Sequence, residues 1–268
     1  MKRALIVGCG NMGSAIATAL LEKEIFSRES LEILERRDTK QTLELEGKGV
    51  KFHRELNEVQ APLELVVLAV KPQDAVQVMG GLAPMLNGDS LVISIMAGIT
   101  LAKMESFFPN RMIVRAMPNT PSAIGQGMTA FCGNTKVTPG RLGVAQVILS
   151  GLGQAIEVES EQMIDAATAI SGSGPAYLFY LAEAMAEAAV RFGFSRNNAR
   201  TLVSQTLVGA SLLLASTDEE AADLRVKVTS KGGTTEAALN HLNQAGVLEQ
   251  MIQAFTKAKE RAEELGRE

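Results

Sequence analysis

Apolar positions follow two different rhythms along the chain. Up to about residue 158, short apolar runs alternate with stretches of helical periodicity. The run LELVVLAV is apolar over nearly its whole length, which is typical of a strand buried on both faces. Strands that alternate with helices predict a parallel sheet with helices on both sides. The predicted strands are residues 4–7, 31–35, 63–70, 90–95 and 112–116, with further candidates at 129–132 and 155–158 around a helix at 137–152.

From residue 161 onward the pattern is helical. The long helical runs are AYLFYLAEAMAEAAVRFG, NNARTLVSQTLVGASLLLAS and LEQMIQAFTKAKERAEELGRE. The first two are rich in Ala, Leu and Val on more than one face, and a helix that is apolar on most sides must be covered on most sides. This favours burial against a second subunit, with a well-packed monomeric bundle as the alternative. The domain boundary is predicted between residues 158 and 159.

Composition and charge argue against several kinds of function. The formal net charge is −4 and no long basic run is present, which argues against a nucleic-acid or membrane-surface partner. The two cysteines, Cys9 and Cys132, exclude a disulfide framework and make a cysteine-rich zinc site implausible, so no metal is predicted. The apolar run at the N-terminus is too short for a signal peptide or a membrane span, which predicts a cytoplasmic protein.

A glycine motif follows the first predicted strand and opens a helix. Gly8, Gly10 and Gly13 have the G-x-G-x-x-G spacing of a dinucleotide-binding turn. In such a turn the first glycine allows the tight bend, the second lets the backbone approach a pyrophosphate, and the third lets the helix pack on the strand. A tight turn without a ligand is the alternative. Residues 1–158 are therefore predicted to form an α/β Rossmann-type domain.

The end of the second predicted strand gives conflicting signals about the cofactor. Glu35 stands where an acid normally accepts a hydrogen bond from the ribose 2′-hydroxyl of NAD. Arg36 and Arg37 follow it, and guanidinium groups pair with the 2′-phosphate of NADP. A solvated turn would explain the arginines equally well. We predict NADPH as the cofactor, with NADH tolerated.

Three loops follow predicted strands at the edge where α/β sheets bind ligands. They are AVKP at residues 69–72, MAG at 96–98 and MPNTP at 117–121. Any one of them alone would be a simple connection. Together with the dinucleotide motif they favour a cofactor trough.

Two glycine-rich breaks interrupt the helical half. SGSGPAYLFYL places Pro175 where it suits the start of a helix. VTSKGGTTEAALNHL predicts a helix over residues 234–242, and the amides at its start would suit a substrate carboxylate. An ordinary capped helix start is the alternative. Since the dinucleotide motif lies in the other half, a cofactor must reach this break across a domain or subunit interface.

A dinucleotide site implies hydride transfer. Reduction of a carbonyl usually needs a proton donor such as His, Lys or Tyr, and the glycine-rich sites offer few of these. A protonated imine is already electrophilic and needs orienting more than protonating. A carboxylate clamp and one hydroxyl near the nitrogen would suffice for such a substrate.

The chain resembles the pyrroline-5-carboxylate reductases over essentially its full length. The matching segments are GCGNMG, AVKP, MPNTP, SGSGPAY and TSKGGTTEAAL, in the family's order. The resemblance implies NAD(P)H-dependent reduction of 1-pyrroline-5-carboxylate to L-proline, the last step of proline biosynthesis. It also implies an all-α C-terminal dimerisation domain at residues 159–268, and homodimers that often assemble into larger rings.

The resemblance also implies roles for individual residues. Thr235 matches the threonine whose hydroxyl bonds the ring nitrogen. The implied substrate-binding residues are Glu161, Gly232, Gly233, Thr234 and Thr235. The predicted cofactor-binding residues are Gly8, Cys9, Gly10, Asn11, Met12, Gly13, Glu35, Arg36, Arg37, Asn57, Ala69, Val70, Lys71, Pro72, Met96, Ala97 and Gly98.

Departures from the family pattern leave some questions open. The family often has proline where Lys231 stands and a small residue where Thr234 stands. The run from Glu35 to Arg37 is not a shared feature either. A dehydrogenase of the β-hydroxyacid type is one alternative, but it would want a catalytic lysine that SGSGPAY does not offer. A non-catalytic dinucleotide-sensing protein is the other, and a six-membered cyclic imino acid is an open substrate.

Overall fold

A computed structural model describes residues 3–267 of the 268-residue chain. The chain divides into two compact units, which are described separately. The first runs to Ser173 and also includes the chain from Ala258 onward, and the second runs from Gly174 to Lys257. The strands, all in the first unit, are β1 Ala4–Val7, β2 Leu31–Leu34, β3 Lys51–His53, β4 Leu63–Leu68, β5 Leu86–Ser94, β6 Met112–Met117, β7 Gly127–Gly133 and β8 Gly153–Glu157.

The helices follow the predicted two-part organisation. Those of the first unit are α1 Asn11–Glu22, α2 Lys40–Gly47, α3 Ala75–Leu82, α4 Leu101–Phe107, α5 Pro139–Ser150 and α6 Glu161–Ala167. Those that follow are α7 Gly174–Arg191, α8 Arg196–Ala215, α9 Ala221–Lys227, α10 Thr234–Gln244 and α11 Val247–Leu265, whose last turns belong to the first unit.

All the predicted strands are present, together with one that was not predicted. The sheet has the order β3-β2-β1-β4-β5-β6-β7-β8. β3 has only three residues, KFH, which form no apolar run and gave no strand signal. Its backbone pairs with β2, and the buried His53 side chain lies 2.5 Å from the Glu32 carboxylate. Burial acts to raise the pKa of Glu32, but hydrogen bonds from His53 and Arg3 outweigh it and lower the pKa below its usual 4.5.

One strand pair departs from the predicted parallel sheet. β6 and β7 are antiparallel, with Val114 opposite Gly133 and Met117 opposite Ala130. Only residues 118–126 connect the two strands, and a parallel crossover needs a dozen or more residues. β8 returns parallel to β7, since α5 provides a full crossover between them.

The central strands are buried on both faces, as the apolar run in β4 predicts. Leu65 and Val67 pack in a layer with residues of α1 and α5. Val66 and Leu68 point to the opposite face and pack with residues of α3 and α4. The core therefore consists of one apolar layer on each face of the sheet. The loops that follow the carboxyl ends of the parallel strands lie outside these layers and are available to bind a ligand.

The second unit leaves large apolar side chains uncovered. The structure has no buried residue in α7, although this helix is rich in Leu, Phe and Ala. Phe179 and Tyr180 are 68% and 77% exposed, and Leu212 in α8 is 63% exposed. A single chain does not cover these faces, which agrees with burial against a second subunit. Within the described residues, no helix is both long and apolar enough to cross a membrane.

The compact units divide the chain later than the predicted boundary at residues 158 and 159. Residues 159–173 belong to the first unit. Arg115 in β6 holds this segment, because its guanidinium donates to Glu161 and Asp165 of α6. After α6, a π-helical turn at Thr168–Gly172 leads directly into α7.

Candidate functional site

The loop between β1 and α1 has the geometry of a phosphate cradle. Gly8 has a φ of 95°, and a Cβ there would lie 2.7 Å from the Ala69 carbonyl oxygen. A Cβ on Gly13 would lie 2.0 Å from the Gly8 carbonyl oxygen, so the helix can approach the strand only with glycine there. Gly10, the N-cap of α1, is exposed and would place a Cβ in open space. The loop therefore leaves room for a pyrophosphate at the helix N-terminus.

A cleft of about 840 Å³ lies beside this loop at the carboxyl ends of β1, β2 and β4. It brings together nine of the predicted cofactor residues: Gly8, Cys9, Gly10, Glu35, Arg36, Arg37, Ala69, Val70 and Lys71. Its size suits a nucleotide. Burial and the nearby Glu35 charge raise the pKa of the Cys9 thiol to about 11, so Cys9 contributes its backbone and not a thiolate.

The other predicted cofactor residues do not line this cleft. Asn11, Met12 and Gly13 begin α1, Pro72 follows Lys71, and Asn57 is exposed and donates to the Glu55 carboxylate. Met96 is buried in the core, whereas Ala97 is exposed and Gly98 has a φ of 73°. A Cβ on Gly98 would lie 3.2 Å from the Leu265 carbonyl oxygen, so the last turn of α11 packs on this loop.

Both carboxylate oxygens of Glu35 are occupied by backbone donors. Cys9 N donates to Oε2 at 2.9 Å and Arg37 N donates to Oε1 at 3.1 Å. The acid therefore ties the glycine loop to the turn after β2. Arg36 and Arg37 are exposed at the cleft, and neither side chain has a hydrogen bond or ion pair among residues 3–267.

Sequence reasoning missed Arg54, which also lines the cleft. Its guanidinium donates to the Glu35 carbonyl oxygen at 2.9 Å and to the Asp38 carboxylate. Arg54 follows β3, the strand that was not predicted. The only available signal was one more arginine, 17 residues after Arg37, and pattern alone does not place it beside Arg36 and Arg37.

Glu161, the predicted substrate-side acid, has partners within the first unit. Its Oε1 accepts from Leu101 N at 2.7 Å and from Arg115 at 2.9 Å. Leu101 begins α4, just after the loop at residues 96–98, and its amide has no partner within the helix. The Glu161 carboxylate therefore accepts from a helix-start amide that would otherwise be unpaired. This geometry favours a structural role for Glu161, and its contact with substrate stays a prediction.

The segments MPNTP and SGSGPAY meet in the first unit. The Asn119 side chain donates to the Ser171 carbonyl oxygen and accepts from Met128 N, both at 2.9 Å. Gly172 lies against Met117, since a Cβ there would be 3.2 Å from the Met117 methyl carbon. Both motifs therefore brace the junction before α7, and their contacts need no ligand.

The predicted substrate loop lies in the second unit, where α10 begins at Thr234. The Gly232 amide donates to the Glu236 carboxylate at 2.7 Å, and the Gly233 amide donates to the Ser230 carbonyl oxygen at 3.0 Å. The amides of Thr234, Thr235 and Glu236 form no hydrogen bond to any residue between 3 and 267. The open donors are therefore in the first turn of α10, one step beyond the two glycines.

Comparisons with known proteins agree with this architecture. Residues 161–265 match the family described as pyrroline-5-carboxylate reductase dimerisation, and residues 3–98 match the coenzyme F420-dependent NADP oxidoreductase family. The pyrroline-5-carboxylate reductase of Synechocystis is 38% identical over 98% of this chain and 97% of its own length. The chain belongs to the pyrroline-5-carboxylate reductase family.

Other pyrroline-5-carboxylate reductases match over similar lengths. Reductase 2 of Bacillus subtilis is 34% identical over 99% of this chain and 95% of its own. The solved Coxiella burnetii reductase is 34% identical, with a TM-score of 0.90 and 98% of each chain covered. The Plasmodium falciparum enzyme, solved with NADP bound, is 29% identical with a TM-score of 0.87 over 98% of each chain.

Membership in the pyrroline-5-carboxylate reductases confirms several predictions. The fold class, an NAD(P)H-dependent oxidoreductase activity and the reduction of pyrroline-5-carboxylate in proline biosynthesis are confirmed. The chain is a homodimer through its dimerisation domain, which accounts for the uncovered apolar faces of α7 and α8. Separately from these comparisons, the described residues 3–267 contain no group of three or more His, Cys, Asp and Glu side chains that could hold a metal ion.

Proposed function

We propose that this reductase uses NADPH in preference to NADH, with its substrate held at the start of α10. The observation that supports the substrate site most directly is the first turn of α10, where three amides are open and Thr235 is half-buried beside them. The positive end of a helix dipole and free N–H groups favour a carboxylate. Thr234, Thr235 and Glu236 would supply these amides, and Gly232 and Gly233 would shape the turn before them.

The chemistry asked of these residues is modest. Bound NADPH supplies the hydride. The amides of α10 hold the substrate carboxylate, and the Thr235 hydroxyl accepts from the N–H of the protonated imine. Holding both groups fixes the face of the ring that is open to reduction. The hydride goes to the imine carbon and the nitrogen becomes a neutral amine, so this chain needs no general acid to protonate the nitrogen during the transfer.

Replacing Thr235 with alanine tests this arrangement. We expect kcat/KM for pyrroline-5-carboxylate to fall roughly tenfold or more, since one oriented hydrogen bond is worth about 1.4 kcal/mol or more. Thr235→Ser keeps the hydroxyl and should keep most of the activity. Thr234→Ala removes the hydroxyl of the adjacent exposed residue but keeps its backbone amide. It therefore shows how much of the loss any substitution at the start of α10 would cause. An unchanged kcat/KM in Thr235→Ala would remove Thr235 from the mechanism.

The cofactor preference rests on Arg36 and Arg37 at the cleft. Replacing both with alanine should raise the KM for NADPH at least about tenfold and leave the KM for NADH nearly unchanged, because only NADPH carries the 2′-phosphate. Oxidation of each cofactor is followed separately with pyrroline-5-carboxylate as substrate. Equal changes in both KM values would contradict the proposed preference. The same assay with a six-membered cyclic imino acid tests the breadth of the substrate site.

We also propose a cytoplasmic location and assembly of the dimers into a larger ring. Apolar side chains other than those of α7 support further assembly, since Phe192 and Val226 are 81% and 65% exposed. Light scattering of the purified enzyme gives the mass directly. A mass of two chains at all concentrations would contradict the larger assembly.

A further inference from the structure

We propose that Arg54 is a positioning residue for cofactor selection, because it holds the turn that presents Arg36 and Arg37 to the 2′-phosphate of NADPH. This inference rests on the proposed preference for NADPH. The turn consists of residues 35–38, between the end of β2 and the start of α2. Residues 36–38 are exposed, so burial of their side chains does not keep the turn in one conformation.

Arg54 fixes this turn at both ends. Its Nη1 donates to the carbonyl oxygen of Glu35 at 2.9 Å, and its Nη2 donates to the carboxylate of Asp38. The guanidinium carbon lies 5.7 Å from the centre of the Phe52 ring, which supports one face of the group. A planar fork with two directed donors can bridge these sites, whereas a lysine ammonium cannot bridge them in the same fixed geometry.

The Glu35 carboxylate takes part in holding the turn, since each of its oxygens accepts a backbone hydrogen bond. Its two oxygens accept from Cys9 N and Arg37 N, and its backbone N–H donates to the His53 carbonyl oxygen at 3.0 Å. The residue that would accept from the 2′-hydroxyl of NAD therefore braces the turn from inside. The turn is tied to the glycine loop by Glu35 and to the β3 segment by Arg54.

Arg54 also controls the charge around the turn. Asp38 is one residue from Arg37, and its side chain is 67% exposed. Paired with Arg54, this carboxylate is held away from the two exposed arginines. Without Arg54, Asp38 would compete with a 2′-phosphate for the same guanidinium groups and would repel the phosphate directly. The structure thus gives Arg54 an effect on the 2′-phosphate without requiring a direct contact.

Binding of two nucleotides measures this effect without turnover. Adenosine 2′,5′-bisphosphate carries the 2′-phosphate of NADPH, and adenosine 5′-monophosphate lacks it. By calorimetry, Arg54→Ala should weaken binding of the bisphosphate about tenfold and change binding of the monophosphate less than about twofold. Arg54→Lys should fall between wild type and alanine, since it keeps the charge and loses the fork.

The matched control is Arg28→Ala, which removes an exposed arginine just before the amino end of β2, whereas the cleft lies at the carboxyl ends of the strands. It changes the net charge equally and should leave both affinities unchanged. A loss in Arg28→Ala as large as that in Arg54→Ala would overturn the proposal, because the effect would then come from net charge. Thermal unfolding of each variant shows that the compared proteins are folded.

A double-mutant cycle separates positioning from direct contact. With Arg36 and Arg37 already replaced by alanine, Arg54→Ala should cause little further loss of bisphosphate affinity. A further tenfold loss there would overturn the positioning role. If unaltered enzyme binds the two nucleotides equally, the NADPH preference itself fails. A wild-type preference that survives Arg54→Ala instead overturns only the role of Arg54.

Discussion

Replacing Arg115 with methionine is expected to lower the free energy of unfolding by about 3–5 kcal/mol. The Arg115 side chain is only 4% exposed, and it donates to Glu161 at 2.9 Å and to Asp165 at 2.8 Å. Methionine fills similar volume but leaves two carboxylates without their partner in a largely buried site. The loss should be larger than that of an ordinary surface ion pair, which is worth about 1 kcal/mol or less.

Urea unfolding at one fixed protein concentration measures this loss, because stability of a dimer depends on concentration. Arg111→Met is the matched control, since Arg111 lies four residues earlier and is half-buried, and its side chain donates only to carbonyl oxygens among residues 3–267. Neutralising the partners as well, with Glu161→Gln and Asp165→Asn, should recover part of the stability. A loss in Arg115→Met no greater than that in Arg111→Met would show that the three charges are not coupled.

The apolar pattern was enough to predict most of the fold, because a strand that is buried on both faces, such as β4, has a continuous run of apolar residues. It failed at β3, since the strand Lys51–His53 is held by pairing with β2 and by the contact between His53 and Glu32. Contacts between distant side chains do not appear as a local periodicity. The antiparallel β7 had a signal that was not used, namely a link too short for a parallel crossover.

The glycine motif predicted its own geometry well, because the roles of Gly8 and Gly13 follow from backbone sterics alone. Side-chain roles were harder to predict. Glu35 stands at the position of a ribose acceptor, yet its oxygens accept from Cys9 and Arg37. Arg54 takes part only because an unpredicted strand carries it to the cleft. Motif position identifies which residues are near a ligand, whereas the hydrogen bonds that each side chain makes within the protein are known only from the structure.

Replacing Gly13 with alanine is expected to reduce both stability and cofactor affinity. A Cβ at this position would lie 2.0 Å from the Gly8 carbonyl oxygen and 3.3 Å from the Ala69 side chain. Neither backbone can move freely, since Gly8 N donates to the Leu34 carbonyl oxygen in the sheet. Overpacking of this kind costs about 3 kcal/mol. The displaced loop should also bind NADPH at least about tenfold more weakly, because the amides around Gly10 are then out of place.

Two other glycines separate the causes of these losses. A Cβ on Gly10 meets no protein atom within 4 Å but enters the space left for the pyrophosphate, so Gly10→Ala should lower NADPH affinity with little change in stability. Gly140, the second residue of α5, is exposed with open space around it, so Gly140→Ala should lower neither stability nor NADPH affinity. Calorimetric titration with NADPH and urea unfolding give the two readouts for each variant. If Gly13→Ala keeps wild-type stability and loses only affinity, contact with the ligand, and not packing of α1 on the loop, explains the glycine at position 13.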